Sequence, residues 1–243
     1  MPPHDSGSAL DAAIDRLYAV FGTVPRPAAI DLCPCCMTEP EAAALLAPVP
    51  LRELRTEVLE PYVGDVLLTV GSVADFRYFL PRIFAIACTS GFDWPELEPL
   101  FRRLRVAGWT DWAAEEQAAI RGLLQAFWRR TLASGDRDAD TVLCAIGNAE
   151  DDLRPYLDEW AAALRDPAAA AELRDLLQHS TRLKHGTMRL TNAFWGGREA
   201  QVVQWLGGAG VRTAVAEAFA AAESEEAMQA LAEVDDLLAV YAP

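Results

Sequence analysis

Residues 72–87 read SVADFRYFLPRIFAIA, and the spacing of their apolar side chains decides the class of fold. Phe76, Phe79, Leu80, Ile83, Phe84 and Ala87 fall at i, i+3, i+4, i+7, i+8 and i+11. That pattern is one stripe along a helix; a half-buried strand would alternate at every second position. Ser72 offers a capping oxygen, and Asp75, three residues on, offers the reciprocal carboxylate, so the helix begins here. Pro81 lies inside the stripe. Lacking an N–H and crowding the preceding turn, it is expected to kink or split the helix.

The same period recurs outward in both directions. Leu153, Tyr156, Leu157, Trp160 and Leu164 repeat it, as do Met228, Leu231, Val234, Leu238 and Tyr241. Start signals stand at TEPE (38–41), DWPE (93–96) and DPAA (166–169), where Pro167 takes the first helical position. Glycines 22, 71, 91, 108, 135 and 186 follow periodic segments and act as stops. These marks predict helices over about 9–21, 39–47, 54–70, 73–90, 94–107, 111–134, 139–149, 152–165, 167–185, 188–206 (broken at Gly196–Gly197), 209–222 and 225–241. The expected fold is all-α: an irregular multi-helix bundle or α/α array of about ten to twelve helices with an N-terminal cysteine-rich loop. The one strand candidate is AAIDL (28–32), and no fixed repeat period is present. Residues 1–50 read as a helix and cysteine-rich loop packed on a helical body of 51–243, together one domain, with a second hinge candidate at LASGDRDADT (132–141).

At 243 residues and 52% apolar, the chain can build a sizeable core. It has no apolar run long enough to cross a bilayer. Its start, MPPHDSGSALDAAIDRLY, has neither a basic nor an apolar leader region, so a cytoplasmic location with reduced thiols is the expectation. The net charge is −15, and from Thr213 onward there are seven acids and no lysine or arginine. Such a field disfavours nucleic acid and anionic membrane, serves solubility, and suits a basic protein partner. Arg102, Arg103 and Arg105 with Arg129 and Arg130 are a local basic exception, expected to pair with nearby carboxylates.

Chemistry concentrates in IDLCPCCMTEPE (30–41), where Cys33, Cys35 and Cys36 fall within four positions just before a helix start. Thiols so placed are good metal ligands and nucleophiles. Zinc prefers four donors. Cys88, His185 and His179 are the candidates for a fourth ligand, with Cys144, His4 and Asp31 behind them. Sulfur alone also suits Cu(I). A thioredoxin-like redox motif would need a strand before the cysteines and a sheet after them, and a nucleophilic cysteine would need His179 or His185 as its base. Simple packing accounts for Cys88 and Cys144, which sit in apolar helical stretches, and accounts poorly for the cluster. Trp94, Trp128, Trp160 and Trp195 are expected in the core. Trp109 and Trp112 are expected to be partly exposed partner anchors. GGAGVR (207–212) reads as a helix–helix connection rather than a phosphate loop, because no strand precedes it.

CPCC (33–36), followed by TVGSVADFRYFLPRIF (69–84), resembles a group of uncharacterised bacterial proteins carrying a Cys-x-Cys-Cys element ahead of a Phe-Leu-Pro-Arg segment. The resemblance covers residues 30–90 and implies no activity. The sequence contains no assembled acid–base set. The expected function is therefore a non-catalytic, zinc-stabilised helical protein acting through protein–protein contacts, as an immunity or adaptor protein does. The alternatives are an enzyme using a metal-bound or free thiolate cluster at Cys33, Cys35 and Cys36, and Cu(I) handling.

Overall fold

The computed structural model describes residues 6–241, so His4 lies outside the described residues. Among these residues are twelve α-helices and one two-stranded sheet, a mostly helical fold of the expected class. The chain divides into two compact units, Met1–Phe127 and Trp128–Pro243. No helix of the described residues is long and apolar enough to cross a membrane.

The first unit holds α1 (Ser6–Phe21), α2 (Glu39–Leu45), α3 (Thr56–Asp65), α4 (Val73–Ala87), α5 (Leu97–Val106) and the larger part of α6 (Ala114–Ser134). Helix α4 is its spine, and all six stripe residues are buried. The capping box forms as expected: Asp75 Oδ2 accepts from the Ser72 N–H at 2.8 Å, and the Asp75 N–H donates to Ser72 Oγ at 3.3 Å. Pro81 does not split the helix, which continues to Ala87. The proline is itself buried, so the apolar contacts of both flanking turns outweigh the single backbone bond it forfeits. Helices α1 and α3 pack against α4, and ring pairs fix the seams, with centroids 5.2 Å apart for Tyr62–Phe79 and 5.1 Å for Phe84–Phe101.

Several expectations fail in this unit. The helix expected over 54–70 stops at Asp65, and residues 66–70 form a tight loop. DWPE does not cap a helix. The Trp94–Pro95 peptide is cis, the Asp93 N–H donates to the Glu60 carboxylate, and α5 begins after Glu96 without a side-chain cap. Trp94 is 61% exposed rather than core, while Trp109, expected to be partly exposed, is fully buried. Nor does Arg103 join a surface patch: it is buried and donates to the Gly64 carbonyl at 2.9 Å.

The second unit continues with α7 (Ala139–Ala149), α8 (Arg154–Ala163), α9 (Pro167–His179), α10 (Ala200–Leu206), α11 (Ala209–Ala221) and α12 (Glu225–Val240). Trp160 is central, with Trp128 edge-on at 5.2 Å and Trp205 stacked at 5.6 Å. Buried indole N–H groups need acceptors. Trp128 finds the Tyr156 carbonyl at 2.9 Å, Trp160 the Ala169 carbonyl at 3.0 Å, and Trp195 an Asp140 carboxylate oxygen at 3.0 Å. Helix α12 packs on α9 and α11. Arg129 pairs with Glu159 and Arg130 with Asp136, so both are neutralised as expected.

The helices expected over 167–185 and 188–206 are both corrected. Helix α9 ends at His179, and an antiparallel hairpin follows, β1 (Thr181–Lys184) with β2 (Thr187–Leu190). Its two-residue turn places His185 at φ 52° and Gly186 at φ 74°, the left-handed pair that suits the twist of a tight hairpin. Gly207 ends α10 and Gly208 starts α11, so GGAGVR is a helix–helix connection.

Candidate metal centre

The cysteine loop is held by main-chain bonds before any side chain matters. Leu32 bridges Val70 in antiparallel fashion. The Cys33 N–H donates to the Thr69 carbonyl at 3.2 Å, and the Gly71 N–H donates to the Asp31 carbonyl at 2.7 Å. The loop between α3 and α4 is thus a short template for residues 31–33. It is folded tightly on itself, since the Asp65 carbonyl accepts from the N–H groups of Leu68, Thr69 and Val70. Gly71 cannot be replaced cheaply there. Its φ is +67°, and a Cβ would meet the Tyr62 ring at 2.9 Å.

The chain then turns. The Cys33 carbonyl accepts from the N–H groups of Cys36 at 2.9 Å and Met37 at 3.1 Å, with Pro34 presetting the first turn residue. Buried Ile30 and Met37 pin the two ends of the loop, leaving Cys33 and Cys36 half-buried and Cys35 exposed. Thr38 then caps α2 in a full capping box. The Thr38 N–H and hydroxyl both donate to Glu41 Oε2 at 2.7 Å, which holds that carboxyl below its usual range.

The three sulfurs converge. Sγ of Cys33 and Cys35 are 2.7 Å apart, those of Cys35 and Cys36 are 3.6 Å apart, and all three lie within 4.8 Å of one another. A tetrahedral zinc with Zn–S of about 2.3 Å needs sulfurs about 3.8 Å apart. The Cys35–Cys36 pair already meets that spacing, and the Cys33–Cys35 pair needs to open by about 1 Å. The group can hold a metal ion, and nothing in the geometry selects which one.

Protonation within the cluster is uneven. Hydrogen bonds to Cys33 from the Cys35 thiol, and then from the Cys35 backbone N–H, favour its thiolate and lower its pKa. The Cys35 thiol is pushed up to about 11, because it donates to Cys33 and because a second charge beside the first is repelled. The cluster thus gives up its first proton readily and holds the proton on Cys35 strongly.

The candidates for a fourth ligand are scattered. Cys88 caps the C-terminus of α4 and is 1% exposed, and it does not join the sulfur group. Cys144 is buried within α7. His179 is the exposed last residue of α9, and His185 sits in the exposed hairpin turn; both belong to the second unit. Asp31 contributes its backbone carbonyl to Gly71. Among the described residues the converged donor set is three sulfurs. The supporting residues Thr69, Val70 and Gly71 escaped the sequence reading because 54–70 scanned as one helix. The signal that marks them is the extended AAIDL segment, which needs a partner strand edge. No family model, no curated protein and no solved structure matches this chain.

Proposed function

We propose that this chain is a non-catalytic, soft-metal-binding helical protein of the cytoplasm that works through contacts with other proteins. Cys33, Cys35 and Cys36 hold one zinc ion that locks the loop between α1 and α2 in its turn. The observation behind this reading is the convergence of three thiol sulfurs within 4.8 Å on a loop fixed by its own main chain. Thiols that merely fill space are dispersed and buried, as Cys88 and Cys144 are. A thioredoxin-like role finds no support, since α2 follows the cysteines and the only two-stranded sheet among the described residues lies at 181–190.

Cu(I) is the second reading, favoured by a donor set made of sulfur alone with Cys35 exposed. Elemental analysis of protein purified without a metal-affinity tag separates the two. Stoichiometric zinc is expected in the native chain and none in the Cys33→Ser/Cys35→Ser/Cys36→Ser variant. Stoichiometric copper would shift the assignment to Cu(I) handling. A chain that arrives metal-free and takes up neither ion on reconstitution under reducing conditions refutes metal binding.

A further inference from the structure

Helices α11 and α12 lie side by side, and their inward faces are spent. Val211, Val215 and Ala218 of α11 are buried, as are Ala227, Ala230, Leu231, Val234 and Leu238 of α12. Their outward seam is left open. A groove of about 310 Å³ runs along it, floored by the nearly buried Val215 and Leu231, with Phe219 as its exposed apolar wall, Ala232 too small to fill the space, and Asp235 and Asp236 also lining it. Phe219 is 45% exposed, and Met228 and Val240 on α12 are also exposed. An apolar-floored groove with an exposed aromatic wall beside a helix–helix seam is a surface that can receive an amphipathic helix.

Charge identifies what such a helix must carry. From Thr213 onward the chain has seven acids and no lysine or arginine. Asp235 and Asp236 make no ion pair among the described residues. These carboxylates lie well within a Debye length of the apolar lining, so their field acts on whatever enters the groove. A second copy of this chain would bring the same acids to the same place and be repelled.

We infer that the α11–α12 groove is the docking site for a basic, amphipathic helical segment of another protein. Its apolar face packs on Phe219, over the floor made by Val215 and Leu231, and its flanking lysines or arginines meet Asp235 and Asp236. The inference deepens the interaction role proposed above and is independent of the metal.

The test is fluorescence anisotropy of the full chain with a labelled helical peptide of leucine and lysine, about eighteen residues long, with its leucines on one face. Two controls are the same composition scrambled and the version with glutamate in place of lysine. Saturable binding is expected for the amphipathic basic peptide, weakening as salt is raised. The scrambled peptide should bind at least about tenfold more weakly, and the glutamate peptide should not bind. Asp235→Asn/Asp236→Asn should weaken binding about tenfold, and Phe219→Ser comparably. Both variants alter exposed side chains, and unchanged far-ultraviolet dichroism confirms their fold. Equal binding of the scrambled peptide would mean diffuse charge attraction and overturns the site. So would binding unaffected by the aspartate pair, or no saturable binding at all. The triple cysteine-to-serine variant should bind the peptide as the native chain does, so loss of the metal reading and loss of the groove are separate results; peptide binding that vanishes in that variant moves the surface to the thiol loop and overturns the inference.

Discussion

The uneven protonation of the thiol cluster makes a quantitative prediction about metal affinity and pH. A thiol must lose its proton to ligate, and the Cys35 thiol, held up to about 11, keeps its proton throughout the neutral range. The sign follows directly. Each ion bound through Cys35 expels one proton, so raising the pH favours the complex and acid dissociates it. From Cys35 alone the apparent association constant should rise about tenfold per pH unit, or about a hundredfold between pH 6 and pH 8, and flatten only near the raised value. Cys33, whose thiolate is already favoured, adds to the slope only below its own lowered value. The assay is competition for zinc against a chromophoric chelator across a pH series, with the chelator's own protonation subtracted. In Cys35→Ser the affinity should drop by at least about tenfold and the slope by about one decade per pH unit. A native affinity flat between pH 6 and pH 8, or an unchanged slope in Cys35→Ser, would refute the assignment of that proton to that sulfur.

Two further predictions concern the cores. A Cβ at position 147 would meet Trp195 Cζ3 at 2.9 Å, and that indole is buried and tied to Asp140, so it cannot swing aside. Gly147→Ala should therefore destabilise by about 1–2 kcal/mol, the crowding outweighing the helix propensity gained; a raised melting temperature would show that α7 has slack beside the ring. The Tyr62 hydroxyl is fully buried and has no hydrogen-bond partner among the described residues, so Tyr62→Phe should be neutral or stabilising by about 1 kcal/mol in denaturant unfolding. A clear loss of stability would show that a water satisfies that oxygen.

Where the chain carried a long stripe and a cap, its sequence was sufficient to read the structure. The α4 pattern and the boxes at Ser72–Asp75 and Thr38–Glu41 fall where spacing put them, because capping chemistry is local and burial of a long stripe dominates. The hairpin at 181–190 was not legible. Strands of four residues are too short to display a decisive alternation, and the segment was read as continuing the helices on either side. The discriminating signal was His185–Gly186, a two-residue loop in which both φ angles are positive. Trp94 was misplaced because its position near an apolar stripe was read as burial, whereas it precedes α5 and its ring is exposed. The three sulfurs were legible from spacing alone. Their scaffold was not, since it depends on backbone pairing between segments more than thirty residues apart.

That pairing has a mechanical corollary. Cys33 is lashed to Thr69, and Asp31 to Gly71, by peptide groups rather than side chains. Mutational drift at the exposed side chains of Leu68 and Thr69 can repaint the surface without loosening the thiols. Conversely, anything that prises the α3–α4 elbow away must break the main-chain bonds to Cys33 and Asp31 or carry the sulfur nest with it.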